Sequence, residues 1–171
     1  MNKYITPGRE ELNRFIAAQD KSYSMALEEI KSGKKISHWM WYIFPQIHGL
    51  GFSETSVFYS IKSINEAISY LNNEFLYNNM IKICNLLLNT KVKNPATIFG
   101  GVDSLKLRSC MTLFYLINTD DFILGLDDYK YEHDDFSFEK TTIFKEVLDK
   151  FYNSIDEKTI MIINKEIEDE K

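Results

Sequence analysis

The chain has 171 residues, of which 44% are hydrophobic and 26% charged, with only three Pro and seven Gly. This composition excludes intrinsic disorder and fits one folded domain over residues 1–171. No run of about 18 apolar residues occurs and the polar start has no signal-peptide core, so neither membrane insertion nor export is indicated and a cytoplasmic location is expected.

The charge is divided unevenly along the chain. Residues 1–110 carry 13 basic and 9 acidic side chains, whereas residues 111–171 carry 7 and 16. A positive excess this small and scattered does not form the dense basic stripe that duplex nucleic acid requires, so no duplex nucleic acid is expected as a partner. It is sufficient to hold a small anion.

The first part of the chain predicts two helices. Pro7, with acidic residues close behind it, begins a short helix whose buried face ends near Ile16. A second helix is predicted over residues 22–32, and Gly33 is placed to end it.

The middle of the sequence is less decisive. Residues 38–44 are apolar and aromatic up to Pro45, and they fit either a helix or a strand. Residues 53–61 are equally ambiguous. Ser63 and Glu66 then have the spacing of a capping box, which predicts a helix that continues through Leu71.

The second half of the chain shows clear helical periodicity. Apolar residues repeat at helical spacing over 76–88, and again over 107–114 after a predicted cap at Asp103. Two further helices are predicted over 144–152 and from Asp156 onwards.

These elements predict an all-α fold, a single compact domain of seven or eight short helices. Residues 119–140 are rich in Asp and aromatic side chains and are interpreted as an acidic insertion loop, and residues 165–171 as a frayed acidic tail. Cys84 and Cys110 each fall within an apolar helical pattern, which indicates reduced core thiols and no disulfide.

The segment 37–51 holds both Trp residues and two of the three His residues. One interpretation is the wall of a ligand pocket, with aromatic rings stacked on a planar ligand while polar side chains supply hydrogen bonds or proton transfer. The other is a wedge of buried aromatic side chains with structural histidines. The candidate ligand-binding residues are Trp39, Trp41, Tyr42 and Gln46, and the candidate catalytic residues are His38 and His48.

A second candidate site follows two glycines. Gly100 and Gly101 precede the predicted helix start at Asp103, and Lys106 and Arg108 follow in its first turns. The two cations could hold a phosphate, while Asp103 orients a sugar hydroxyl or acts as a general base. The alternative is an ordinary helix cap followed by solvated cations.

Other chemistries have little support in the sequence. His38 and His48 are ten residues apart, and His133 lies among acidic residues, so no compact zinc pattern is present and no metal or cofactor is expected. No Ser lies in a glycine elbow and neither Cys has a neighbouring base, which argues against a covalent mechanism.

Several segments carry a family resemblance: SHWMWYIFPQIHGLGFSETS, EAISYL and IFGGVDSLKLRSCMTLF, with LNRFIAAQ near the start and VLDKFYN near the end. They resemble the bacterial family known only as domain of unknown function 1810. The likeness spans nearly the whole chain and implies a compact helical fold, but no activity, substrate or catalytic residue. Some members carry the label calpastatin, which implies a disordered protease inhibitor and disagrees with this composition.

Two features depart from the pattern of that family. Residues 119–140 form a longer connection than the family usually has, and Cys110 stands where a small hydroxyl residue is expected. The longer connection leaves open whether a partner or a lid occupies that edge of the domain.

The chain is also similar to the helical NADAR group, which implies the processing of NAD- or ADP-ribose-derived compounds.

Two functional hypotheses follow. In the first hypothesis the candidate residues converge on a cleft for a phosphorylated or nucleotide-like small molecule, with His or Asp as general acid or base. In the second, the same aromatic side chains stabilise a non-catalytic binding module or form a patch for a protein partner of unknown identity. The sequence does not decide between them.

Overall fold

The computed structural model describes residues 9–119 and 137–170 of the chain. The all-α prediction is confirmed: within these residues there are eight helices, and the only β interaction is an isolated bridge between Ile47 and Ile61. None of these helices is long and apolar enough to cross a lipid bilayer. The helices are α1 (Arg9–Lys31), α2 (Met40–Ile43), α3 (Glu54–Tyr59), α4 (Ile64–Asn72), α5 (Glu74–Asn89), α6 (Pro95–Asn118), α7 (Ile143–Phe151) and α8 (Glu157–Glu170).

Helix α1 is one continuous element, so the prediction of two separate helices before Gly33 is wrong. Residues 17–21 contain neither Gly nor Pro, and Ala and Gln are good helix formers, so no local signal breaks the helix there. The stop at Gly33 is confirmed: it has a positive φ of 84° and its N–H donates to the carbonyl of Ile30 at 2.9 Å. The predicted start at Pro7 lies outside the described residues.

Serine side chains cap two of the short helices of the middle segment, α3 and α4, whereas α2 has no side-chain cap. Residues 38–44 contain the single-turn helix α2, which ends before Pro45, and the ambiguous residues 53–61 contain α3. The cap of α4 is confirmed, because the Ser63 hydroxyl accepts a hydrogen bond from the Glu66 N–H at 3.1 Å. The buried Glu66 carboxylate accepts from the N–H of Lys62 and forms an ion pair with Arg14.

Helix α6 begins earlier than predicted, so the prediction of a cap at Asp103 is wrong. Its true cap is Asn94, whose side chain accepts from the Ala96 N–H at 3.0 Å, with Pro95 at the first helical position. The helix kinks at Gly100, where φ is 77° and ψ is 176°. Only glycine adopts this conformation without strain, and Asp103 therefore lies inside the second half of the helix.

The core is one continuous cluster of buried apolar side chains. Helix α6 packs against α4, α7 and α8, while α1 packs against α2, α4 and α5. Cys84 and Cys110 are buried free thiols in this core, as the apolar pattern predicted.

The C-terminal helices complete the core. Asp156 caps α8 as predicted, because its carboxylate accepts from the Thr159 N–H at 3.2 Å. Residues 165–170, predicted to be a frayed tail, belong to α8, and Ile167 on this stretch is buried. Of the predicted insertion over 119–140, residues 120–136 lie outside the described part of the chain.

Candidate functional site

A buried carboxylate shapes the loop between α1 and α2. Glu29 accepts hydrogen bonds from the N–H groups of Ile36 at 2.6 Å and Ser37 at 2.7 Å, and from the indole N–H of Trp39 at 3.1 Å. Burial alone would raise the pKa of this carboxyl, but these donors outweigh it and lower the pKa to about 2. Trp39 is fully buried, so its indole has a structural role that the clustering of aromatic residues did not distinguish from ligand binding.

The loop and the second half of α6 meet on one surface. The N–H of Lys35 donates to the carbonyl of Ile98 at 2.7 Å, and the Lys35 ammonium forms an ion pair with Asp103 at 2.9 Å. The Lys106 ammonium lies 3.7 Å from the other carboxylate oxygen of Asp103 and 5.4 Å from the centre of the Trp41 ring. We call this group the Trp41 cluster; its members are Lys35, His38, Trp41, Asp103 and Lys106.

The Trp41 cluster is open to solvent on one side. The His38 imidazole is exposed and lies 6.4 Å from the Trp41 ring, with an angle of 34° between the two planes. Beside it, a methyl group built on Gly100 or Gly101 would meet no atom within 4 Å. A ligand could therefore approach both the aromatic rings and the backbone where α6 resumes after its kink.

Charge and apolar surface combine around this cluster. Lys35 and Lys106 share the single carboxylate of Asp103, so the three side chains carry a surplus positive charge. Ile36 and Val102, on the same two segments, are 75% and 70% exposed. The described residues contain no group of three or more side chains that could hold a metal ion.

Two other predicted ligand-binding residues have different neighbours. Tyr42 follows Trp41 in the sequence, but its hydroxyl donates to Ser22 at 2.9 Å and its ring lies 5.1 Å from that of Tyr59. The main-chain carbonyl of Gln46 accepts from the Ile61 N–H at 2.9 Å beside the isolated bridge. These contacts connect neither residue to Lys106.

His48 and Arg108 also make their contacts outside the Trp41 cluster. The Nδ1 atom of His48 lies 3.1 Å from the Ser60 hydroxyl, and His48 lines a groove of about 380 Å³ together with residues of α8. Arg108 donates to the carbonyl of Ile155 at 2.6 Å, and its Nε is buried without a hydrogen-bond partner in the described ranges. The contacts thus connect five of the nine predicted residues, namely His38, Trp39, Trp41, Asp103 and Lys106, and add Lys35. Trp39 joins from beneath the surface, because its buried ring lies 5.1 Å from the Lys35 ammonium.

Sequence reasoning assigned no role at this surface to Lys35 or Glu29. In the sequence, Lys35 is part of the basic exit from α1, and Glu29 belongs to an otherwise regular amphipathic helix. Their roles depend on contacts with the loop and with α6, and no sequence motif predicts these contacts. The Lys35 side chain is only 8% exposed, and burial of a lysine is a property that the structure shows and the sequence does not.

Comparison with known proteins gives a family but no activity. A family model described as "Protein of unknown function (DUF1810)" matches residues 9–138. Among solved structures, the chain is similar to the conserved hypothetical protein Rv1873 from Mycobacterium tuberculosis, with 33% sequence identity and a TM-score of 0.74. The alignment covers 90% of this chain and 96% of that one. No curated protein matches the chain.

Proposed function

The chain belongs to the DUF1810 family of proteins of unknown function, and we propose that its Trp41 cluster binds a small phosphorylated or nucleotide-like molecule. One observation carries the proposal: the fold places the Lys106 ammonium 5.4 Å from the centre of the Trp41 ring, at an open surface. An aromatic face beside a cation is the combination that recognises a planar group attached to an anion.

The anionic part of the ligand is assigned to the lysines and to the backbone after the kink. Asp103 balances only one of the two positive charges on Lys35 and Lys106. The first N–H groups of a helix segment also favour anions, and no side chain blocks Gly100 or Gly101. A phosphate between Lys106 and these glycines would be bound by charge-assisted hydrogen bonds.

The planar part is assigned to Trp41 and His38. Their rings lie 6.4 Å apart and His38 is exposed, so a base or a nicotinamide could stack against the indole beside the imidazole. NAD-derived and ADP-ribose-derived compounds have both a planar base and phosphates, and they are the first ligands to test.

Hydrolysis of the ligand by general acid/base catalysis is a further part of the proposal. His38 is the proton-transfer group, because its exposed imidazole is accessible to a ligand on this surface. Asp103 has one oxygen bonded to Lys35 and the other near Lys106, an arrangement that supports orienting the cations more than proton abstraction. Binding is therefore better supported than turnover.

A protein-interaction role is the second candidate. Ile36, Val102 and Leu105 are 60% to 75% exposed on the two segments that form the Trp41 cluster. Exposed apolar side chains around an aromatic and charged centre are typical of surfaces that bind proteins. This hypothesis predicts no small-molecule ligand for the cluster.

The test is a thermal-shift screen against ADP-ribose, NAD, nucleotides and sugar phosphates, because a ligand of the native state raises the unfolding temperature. Lys106→Met should weaken the binding of a positive compound by about tenfold, the effect of one charge-assisted contact. Lys82→Met changes an exposed lysine on α5 and serves as the matched control. If no compound in the panel shifts the transition, the small-molecule proposal fails.

His38→Ala distinguishes a ligand role from a structural one. Because His38 is exposed, the substitution should leave the thermal transition of the free protein nearly unchanged. It should reduce affinity for the ligand found in the screen, measured by calorimetry, and abolish any turnover of that ligand. A clearly lowered transition without loss of affinity would assign His38 to the fold.

A further inference from the structure

A second concave surface lies between α1, α2 and α3. It has a volume of about 350 Å³, which falls within the range of small-molecule sites. Ala17, Ala18 and Lys21 of α1 line one side, and they share a helix face because Lys21 follows the two alanines by four and three residues. Tyr42 and Tyr59 line the opposite side. We call this surface the Tyr59 groove.

The aromatic wall of the Tyr59 groove is held in position. The Tyr42 and Tyr59 rings lie 5.1 Å apart, and Phe58, which is 55% exposed, packs edge-on against Tyr59 at 4.8 Å. Arg14 donates to the carbonyls of Phe58 and Ser60, both at 2.8 Å, and thereby fixes the end of α3 against α1. A preformed wall of this kind loses little side-chain entropy when a flat ring stacks on it.

The charge of the Tyr59 groove is positive and is carried by Lys21. The guanidinium of Arg14 is paired with the carboxylate of Glu66. Lys21 is exposed and makes no ion pair or hydrogen bond within residues 9–119 and 137–170. Its ammonium is therefore available to a ligand.

Three hydroxyl groups, those of Ser22, Tyr42 and Tyr59, complete the polar part of the surface. The Tyr42 hydroxyl donates to the Ser22 oxygen at 2.9 Å, which leaves the Ser22 hydroxyl proton available to donate to a ligand oxygen. Burial raises the pKa of the Tyr59 phenol, so this side chain stays neutral near pH 7 and does not repel an anion. The groove thus offers flat aromatic surface with a cation and a hydroxyl donor at its α1 side.

We infer that the Tyr59 groove is a binding site for a small planar aromatic carboxylate, with its ring against Tyr42 and Tyr59 and its carboxylate on Lys21 and Ser22. Aromatic stacking provides the apolar part of the recognition, and the ammonium selects the anionic form of the ligand. The two alanines on α1 leave the space that the ring occupies. This site uses neither Trp41 nor Lys106, so it does not depend on the function proposed above.

The experiment uses the full chain with 2-naphthoate as the probe and its neutral counterpart 2-naphthamide, both measured by isothermal titration calorimetry. We expect Lys21→Met to weaken naphthoate binding by about tenfold and to leave naphthamide binding unchanged, because the substitution removes charge but keeps length. Lys31→Met, on the same helix but paired with Glu28, is the matched control and should change neither affinity. Ala18→Leu should weaken both probes, because it fills the groove.

Three results would overturn the inference. The first is that naphthoate does not bind the unmodified chain at millimolar concentration. The second is that neither Lys21→Met nor Ala18→Leu changes the affinity for naphthoate relative to the unmodified chain, although the thermal transitions show that both variants are folded. The third is that Lys106→Met, and not Lys21→Met, abolishes the binding, since the probe would then occupy the Trp41 cluster. That third result would still support the function proposed for the cluster.

Discussion

At the scale of single residues, Glu29 explains the geometry of the loop that ends at Trp39 and leads into α2, the helix that carries Trp41. A carboxylate near the C-terminal end of a helix is unfavourable by itself, because the helix dipole repels it there. Glu29 is stable in this position because it accepts from Ile36, Ser37 and Trp39. Two of these bonds fix the backbone directly after Lys35, and the Lys35 ammonium forms its ion pair with Asp103 from this position.

Glu29→Gln should lower the free energy of unfolding at pH 7 by about 2 kcal/mol, because an amide replaces the charged acceptor of three hydrogen bonds. Urea denaturation at pH 7 measures the change. Glu28→Gln is the matched control, since it removes the neighbouring exposed carboxylate of α1 and should have little effect. Equal losses in the two variants would assign the effect to the charge of the helix end and not to the hydrogen bonds of Glu29.

The pH dependence of stability follows from the lowered pKa of Glu29, about 2 against an ordinary 4.5. The unfolded chain binds a proton first on acidification, so the contribution of Glu29 is complete above about pH 4.5 and is lost as the pH falls towards 2. Glu29→Gln should therefore flatten this part of the stability profile. If the variant and the unmodified chain lose stability equally between about pH 5 and pH 3, the assignment is contradicted.

At the scale of helices, the kink in α6 positions the second half of that helix. Gly100 has φ of 77° and ψ of 176°, and beyond it Asp103 and Lys106 reach Lys35 and Trp41. A side chain at this position would have open space around it, so crowding does not require a glycine. The requirement comes from the positive φ of the backbone.

Gly100→Ala should destabilise the protein by about 1 to 3 kcal/mol, the range for a residue held in a backbone region that only glycine favours. Gly101→Ala is the matched control, since Gly101 has no positive φ and also has open space around it. That variant should be neutral or slightly stabilising, because Ala favours helix. Thermal denaturation of both variants measures the difference in their unfolding temperatures. Equal unfolding temperatures would show that a side chain at Gly100 does not strain the backbone of the kink.

The end of α5 is stabilised by a lysine from α7. The Lys150 ammonium donates to the carbonyls of Leu87 and Leu88, both at 2.9 Å, and to that of Thr90 at 2.5 Å. Burial lowers the pKa of this ammonium, which is consistent with its position against the main chain. One cation thus satisfies carbonyl groups that the end of a helix leaves without partners.

Lys150→Met should lower the free energy of unfolding by about 2 kcal/mol, because the variant keeps the apolar stem but leaves these carbonyls without their donor. Lys145→Met is the control on the same helix, where the lysine is exposed and paired with Asp149. Chemical denaturation should show a clear loss for the first variant and almost none for the second. Similar losses in both would attribute the effect to the general charge of α7.

At the scale of the whole molecule, the described residues share one hydrophobic core. Ile163 of α8 is fully buried in the same cluster as Trp39 and Phe15, although these residues come from opposite ends of the chain. A single cluster of this kind predicts one cooperative unfolding transition.

Ile163→Ala should lower the stability by about 2 to 5 kcal/mol, the range for removing a large buried aliphatic side chain. If the core unfolds as one unit, tryptophan fluorescence from the α1–α2 region and circular dichroism from all helices should shift by the same amount. Separate midpoints for the two signals would show that α8 unfolds independently. Ile36→Ala, at an exposed position, is the control and should shift neither signal.

The sequence alone determined the fold class and most helix positions, and it supplied the candidate residues of the surface. Helical periodicity and capping are local properties, so Ser63, Asp156 and the stop at Gly33 could be assigned from neighbouring residues. The continuity of α1 and the early start of α6 were missed although the local signals agree with the structure: residues 17–21 contain no helix-breaking residue, and Asn94 followed by Pro95 is a helix-start signal. Gly100 and Gly101 suggested a loop, whereas the helix resumes after a kink at Gly100.

Only the tertiary structure decided which candidates share a surface. It connected Trp41 with Lys106 and Lys35 with Asp103, whereas Tyr42, His48 and Arg108 received other neighbours. The physical reason is that adjacent residues on a helix point in different directions, and their partners come from segments distant in sequence. Composition and spacing therefore supplied the candidate residues, while side-chain direction and long-range packing determined which of them lie together.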